Sequence, residues 1–396
     1  MKSAEKTVRE THLQHVFLIV AALLAPPVAN AGGESDSLSS VVIEPGVTHI
    51  SIRKDGPFAI NVLVVDLEAP NLRLESYRPV GLVRTSEQAK RNDRPGHRVV
   101  AAINADFFSF KSGWPVNVQV ANGEFVLGTR TQRSHLMLDD KNKPRIERTS
   151  FEGWVKSLRG KTYAISGVND VHSDDAIVLH TSFSDTATRS VGAGRTLLLR
   201  LLNPSWSVCD TLLMIVSGSD SVDLAHIAPS EAAMWIGRRT AAFTAGGEMT
   251  AGDTVLVYLG IRPAIRDVKT VLGGVGMIVA GGRPVSDSIN VGEKTNINFL
   301  TMRHPRTFVG FDRDTTKLFL CVVDGRQSSS VGMNFREMAE FLLSLGVYNA
   351  VNFDGGGSTT MVVGGRIVNS PSDRTGERPV ANSLQVISLD PPGRAE

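Results

Sequence analysis

Two aspartates each close an apolar run and open onto glycine. Asp354 follows Ala350-Val351-Asn352-Phe353 and precedes Gly355-Gly356-Gly357-Ser358-Thr359-Thr360. Asp324 follows Leu318-Phe319-Leu320-Cys321-Val322-Val323 and precedes Gly325-Arg326. Glycine has no Cβ to crowd a ligand and admits positive φ. Successive free backbone N–H groups in such a turn can form an anion-binding nest. The Asp354 stretch therefore joins one acid, a donor-rich cradle and small hydroxyls. A plain Asp-Gly turn would need only two residues. Arg303 and Arg306 flank His304-Pro305. Pro305 cannot sit inside a central strand, so Arg303 and His304 fall in a loop that enters a strand over residues 307–311. Guanidiniums so placed suit bidentate phosphate binding, and Arg326 adds a third; charged loop residues that merely face water are the plainer alternative. Asn369, Asp373, Glu377 and Arg378 lie in a polar, turn-rich loop before the last strand. An acid pair beside an arginine cluster is what cleavage of a phosphate-bearing glycoside would need.

The elements that must position these groups read as follows. The Leu318 run is apolar on both faces, as a fully buried strand is. Asn334 and Glu337 have the spacing of a capping box. Phe335, Met338, Ala339, Leu342 and Leu345 then recur at helical spacing, and Gly346 suits the position after the helix. The Ala350 strand comes next. This β-loop-α-β order predicts parallel strands with a right-handed crossover. Asp324 and Asp354 are then expected side by side at the carboxyl ends, where open α/β sheets bind ligands. Their carboxyl groups should lie within roughly 10 Å, and nearby arginines should pull both pKa values down.

Earlier in the chain, strands are predicted over residues 58–67, 72–78 and 99–104, with a short helix over 85–91. The third strand ends in Asn104-Ala105-Asp106, read either as a turn motif or as part of the site. Phe107, Phe108 and Phe110 are expected in the core. Hairpins are predicted around Asn122-Gly123 and residues 139–144, and further strands over 162–165, 176–180, 196–202, 212–216 and 254–259. Residues 32–40 are Gly/Ser/Asp-rich and expected to be loose. The fold class is α+β with an α/β-like C-terminal part: a large mixed β-sheet system with few helices and catalytic loops at strand carboxyl ends.

The chain has 396 residues and a formal charge of +2, enough for one large domain or two smaller ones. The near-balanced charge and the absence of a basic run argue against a nucleic-acid partner. Lys2, Lys6 and Arg9 precede an apolar run over 16–25 and then Ala29-Asn30-Ala31. That pattern predicts a secretory signal over 1–31, cleaved after Ala31, and a secreted or periplasmic protein without a membrane span. Residues 32–96 form a strand-rich leading segment, and 97–390 the main domain. Cys209 and Cys321 sit in or beside apolar runs and are expected to stay unpaired.

Several stretches, in order, resemble the phosphodiester glycosidase family. They are R-H-P-R-T from Arg303, V-D-G-R-Q from Val323, N-F-D-G-G-G-S-T-T-M from Asn352 and N-S-P-S-D-R-T-G-E-R-P-V from Asn369. Asn104-Ala105-Asp106-Phe107-Phe108 and Ile165-Ser166-Gly167-Val168-Asn169 are similar to two further family segments, so the resemblance spans residues 97–389. Gly273-Gly274-Val275-Gly276 departs from the family's G-G-G-P-like turn. The resemblance implies hydrolysis of a sugar-1-phosphodiester at the glycosidic bond, releasing sugar and a phosphomonoester. On this reading Asp324 and Asp354 are the catalytic carboxylates. Arg303, Arg306 and Arg326 bind phosphate, and the backbone of Gly355, Gly356, Gly357 and Ser358 adds donors. Asn104, Asp106, Asn169, Thr359, Asn369, Asp373, Glu377 and Arg378 complete the substrate site. No cofactor is required, although Asn104, Asp106 and Asn369 could hold Ca²⁺. A phosphodiesterase cutting the P–O bond and a non-catalytic binder of anionic polysaccharide are the competing readings.

Overall fold

The computed structural model describes residues 36–389 apart from 158–159, 172, 185–192, 220–225, 245–248, 286–289, 291 and 294. The expected signal segment therefore lies outside the described residues. The fold is mostly β with few helices, as the α+β expectation holds.

An eight-stranded sheet positions the two aspartates. Its spatial order is Ser37–Glu44, Val47–Lys54, Phe58–Asp66, Lys317–Val323, Arg306–Asp312, Val347–Asn352, Met277–Ala280 and Arg283–Pro284. Neighbours are antiparallel throughout. The strands ending at Asp324 and Asp354 do run parallel to each other, but they are not adjacent. The strand Arg306–Asp312 lies between them, antiparallel to both. The cause is local. Asp312 accepts from the backbone of Thr316 at 2.8 Å and Lys317 at 3.0 Å, and Thr315 takes φ 58°. This tight turn pairs Arg306–Asp312 with Lys317–Val323, so the chain leaving Val323 must cross over Arg306–Asp312 to place Val347–Asn352 on its far side.

The crossover helix is Phe335–Ser344, and its capping box forms as the sequence indicates. Asn334 Oδ1 accepts from the Glu337 N–H at 2.9 Å, while Glu337 accepts from the Asn334 N–H at 3.0 Å. Gly346 follows at φ 80°. The Lys317–Val323 strand alternates between two cores. Phe319, Cys321 and Val323 meet the helix residues Met338, Ala339 and Leu342. Leu318, Leu320 and Val322 face the other way, among Ile103, Met361, Leu384 and Val386. Those partners belong to a five-stranded sheet in the order Arg366–Ile367, Met361–Val363, His97–Asn104, Ser383–Leu389, Leu72–Tyr77. Each fully buried aliphatic side chain there contributes about 1.5–3 kcal/mol.

A twelve-stranded sheet, built largely from residues 119–273, has its own core around Met137, Phe151, Leu199 and Val257. Its strand Glu231–Gly237 is one the sequence reading did not predict. Ser37–Ser40, expected to be loose, instead opens the outermost strand of the eight-stranded sheet, paired with Val47–Lys54. That strand is exposed on both faces, so no alternation marks it in the sequence. Cys209 and Cys321 are buried and unbridged. Among the described residues, no helix is long and apolar enough to cross a membrane.

Candidate active site

The antiparallel strand between the aspartates starts at the edge where the other two end. Arg306 lies opposite Val323, and Phe308 lies opposite Asn352. Two strand spacings of about 4.8 Å therefore separate the backbones that lead into Asp324 and Asp354. The edge thus gathers Asp324, Pro305-Arg306 and Asp354 in that lateral order.

Asp354 is sewn to the five-stranded sheet through its own backbone. Its N–H donates to the Ala105 carbonyl at 2.8 Å, and its carbonyl accepts from Asn104 Nδ2 at 2.7 Å. Burial pushes the Asp354 carboxyl up to about 6, against the pull of the Ser358 hydroxyl, the Arg378 charge and the Gly355 N–H. Asp106 shares this environment and is 1% exposed. Its carboxyl accepts from the Asn117 backbone at 3.2 Å and the Asn117 side chain at 2.5 Å. Burial pushes it up to about 7, and repulsion from Asp354 adds to the rise.

Asp324 and Asp354 share the edge as expected, two strands apart rather than side by side, and Asp106 adds a third carboxyl whose pKa the Asp354 charge helps to raise. The expected direction of the pKa shifts is corrected. Both aspartates predicted to be depressed by arginines are instead raised, because burial outweighs those charges. Asp324 is 2% exposed, and its Oδ1 accepts from Asn369 Nδ2 and the Ser370 N–H, each at 3.0 Å. Burial raises its pKa, with those hydrogen bonds and Arg53 opposing. Asp324 thereby latches the loop that carries Asp373 and Arg378.

The glycine run makes a 3₁₀ turn over Gly356–Ser358. Gly356 sits at φ 62°, and its N–H is held by the Pro305 carbonyl at 2.8 Å. The N–H groups of Ser358 and Thr359 close back on the Gly355 and Gly356 carbonyls. The expected donor nest is thus largely spent on the turn itself. Two guanidiniums occupy the space that side chains would fill. A Cβ on Gly356 would lie 3.1 Å from Arg326 Nη2; one on Gly357 would collide with Arg378 Nη2. Arg326 is exposed and held at φ 61°. Among the described residues, no carboxylate or carbonyl binds its guanidinium. Arg378 is clamped by Asp373 at 2.7 and 2.6 Å and reaches the Ser358 hydroxyl at 3.4 Å.

The other predicted site residues are committed elsewhere. Arg303 forms a forked ion pair with Glu337 at 2.9 and 2.5 Å, outside this cluster. Arg306 is 1% exposed. Its guanidinium donates to the carbonyls of Met333 at 3.0 Å, Phe299 at 2.6 Å and Met302 at 3.1 Å, between the rings of Phe299 and Phe335. Burial disfavours its charge, and the carbonyls and aromatic faces offset that cost. Glu377 accepts from the Ser86 N–H at 2.8 Å, serving the first turn of the helix Thr85–Asn92. Asn169 spends its amide on Val126 and Thr181 in the twelve-stranded sheet.

The residues considered for Ca²⁺ are similarly occupied. Asn104 Oδ1 serves Thr307 and Thr360, Asn369 Oδ1 serves Met361, and Asp106 serves Asn117. Among the described residues, no group of three or more His, Cys, Asp or Glu converges on a metal position. Asn117 and Asn382, which hold Asp106 by side chain and backbone, were not foreseen. Asn117 carries a faint signal: an amide inside the otherwise apolar Val116-Asn117-Val118.

Residues 226–387 match the family described as phosphodiester glycosidase, a narrower extent than the sequence motifs indicated. The chain is 49% identical over 75 residues to N-acetylglucosamine-1-phosphodiester alpha-N-acetylglucosaminidase of Bos taurus, covering 19% of this chain and 14% of that protein. The Homo sapiens protein of the same name is 47% identical over 75 residues, with the same shares. A prophage-derived protein of Bacillus subtilis is 38% identical over 91 residues, 23% of this chain and 14% of that one. The chain thus aligns with only 14% of the length of these relatives. Among solved structures, a Synechocystis protein superposes with a TM-score of 0.68 at 19% identity, covering 90% of this chain and 64% of the other. A Burkholderia pseudomallei protein gives 0.62 at 20% identity, covering 83% and 74%. These two likenesses concern the fold. The resemblance to phosphodiester glycosidases holds over the part of the chain that carries Asp324, Arg326, Asp354 and Arg378.

Proposed function

We propose that this protein hydrolyses the glycosidic bond of a sugar-1-phosphodiester. The observation that carries the reading is the placement of two guanidiniums, Arg326 and Arg378, against the bare backbone of Gly356 and Gly357 beside Asp354. A phosphodiester lying over that backbone meets both guanidiniums and brings its sugar C1 toward the carboxyl. In the reaction the C1–O bond breaks, and its electron pair leaves with the phosphate, whose added charge falls on the arginines. A water oxygen bonds to C1, and its proton passes to Asp354, which is ionised at neutral pH with its carboxyl near 6. A phosphomonoester is a good leaving group, so it needs little protonation. Asp106, with its carboxyl near 7, is the group next to Asp354 that can hold the proton afterwards. Asp324 keeps the Arg378 loop in place through Asn369 and Ser370.

The test is hydrolysis of a sugar-1-phosphodiester in ¹⁸O-water. Label in the sugar supports the reading. Label in the phosphate would mean P–O cleavage and make the protein a phosphodiesterase, and binding without turnover would make it a polysaccharide-binding module. Export belongs to the same proposal, supported by the basic, apolar and Ala29-Asn30-Ala31 order of residues 1–31. Mass spectrometry of the exported protein should then find Gly32 at its N-terminus.

A further inference from the structure

Phe110 stands out among the aromatic residues near the site. It was expected in the core, yet it is 71% exposed. Its ring rests 4.9 Å from that of Phe108 and 5.5 Å from the Arg378 guanidinium. The loop that carries it is tightly built. The Ser109 N–H donates to the Trp114 carbonyl at 2.9 Å, the Gly113 N–H to the Ser109 carbonyl at 2.8 Å, and the Val116 N–H to the Phe107 carbonyl at 3.0 Å. Trp114, beneath, carries the Arg78 guanidinium 3.7 Å from its ring centre. The base of the loop is fixed to the acid pair, since the Phe107 N–H supports the Asp106 carboxylate. A rigid turn therefore holds a large apolar ring in water, where burial would have been favourable.

The order of groups gives the ring an occupant. Ser358 accepts from Arg378 on one side of that guanidinium and supports Asp354, while Phe110 lies against the guanidinium as well. Resting on the glycosidase reading above, the sequence Asp354, Arg378, Phe110 follows the substrate order of sugar carbon, phosphate and the group esterified beyond it. We infer that Phe110 is a platform for the aglycone and that it favours aglycones presenting a flat ring face, which stacks on the phenyl ring.

The test compares three esters of the same sugar 1-phosphate, bearing methyl, phenyl and pyranosyl aglycones, on the wild type, Phe110→Ala and Phe110→Trp. Because the side chain is mostly exposed, neither substitution should disturb folding. For Phe110→Ala, kcat/KM should fall roughly three- to tenfold on the ring-bearing esters and stay within twofold on the methyl ester. Phe110→Trp should retain the preference. A loss confined to one of the two ring-bearing esters supports the platform and identifies the ring it suits. Equal losses on all three esters, or no loss on any, would overturn the platform while leaving the glycosidase reading intact. Failure of the wild type to hydrolyse any ester would overturn both.

Discussion

In the proposed reaction Asp354 takes the proton from water, and its surroundings set the pH at which it can do so. Burial raises its carboxyl to about 6, while the Ser358 hydroxyl, Arg378 and the Gly355 N–H hold it there rather than higher. As the acceptor of a water proton it must be ionised, so kcat/KM should decline as pH falls through about 6. Ser358→Ala removes the first of the stabilising bonds. The acid limb of the pH profile should therefore move to higher pH, and an unmoved limb would mean that another group titrates. Asp354→Asn should lower turnover by orders of magnitude with an unchanged circular dichroism spectrum. Asp324→Asn should act through the latched loop, raising KM for the phosphodiester more than it lowers kcat.

At the scale of elements, much was legible because it rests on neighbours in sequence. The Asn334–Glu337 capping box, the helix it starts, Gly346 after it and the hairpin at Asn122-Gly123 all follow from local chemistry. The lateral order of strands does not. Nothing in the Leu318 or Ala350 runs tells that Arg306–Asp312 lies between them, since every strand involved is buried on both faces. The same blindness affected the arginines. Arg303, Arg306 and Arg326 look alike as sequence, but burial separates them: Arg306 bridges three carbonyls, Arg303 holds Glu337, and Arg326 is exposed beside the glycines. Arg306→Ala removes the guanidinium from the Phe299 and Met302 carbonyls, while the Met333 carbonyl keeps the His304 N–H at 3.2 Å; each unsatisfied buried group costs about 1–3 kcal/mol, so the variant should lose several degrees of Tm. Arg326→Ala should keep its Tm and lose about ten- to hundredfold in kcat/KM, the worth of a charge-assisted bond of ~1.5–3 kcal/mol. Normal stability in Arg306→Ala together with lost activity would restore it to the phosphate site.

Across the whole molecule, the site is also the seam between sheets. Asn104, wholly buried at the end of its strand in the five-stranded sheet, binds Asp354, Thr307 and Thr360. Asp106 lies two residues on, anchored by Asn117 and Asn382. Placing two carboxyls at this seam makes global stability depend on pH. Asp106 rises from 3.8 unfolded to about 7 folded, and Asp354 from 3.8 to about 6. Between those limits the folded chain holds protons that the unfolded chain has released. Their contribution is complete below about pH 4 and is lost as pH rises toward 7. Buried histidines oppose this trend: His135, lowered to about 4, loses its contribution as pH falls below 6.5. The wild-type curve alone therefore mixes the two, and a difference between variants is needed. Asp106→Asn keeps an acceptor for Asn117 but carries no proton to lose. Relative to wild type it should gain stability steadily from pH 4 to 7, by up to about 4 kcal/mol at one pKa unit per 1.36 kcal/mol. Urea titrations of both proteins across that range measure the difference. Parallel curves would show that Asp106 is ionised at the same pH folded and unfolded, and would remove it as the proton-holding partner of Asp354.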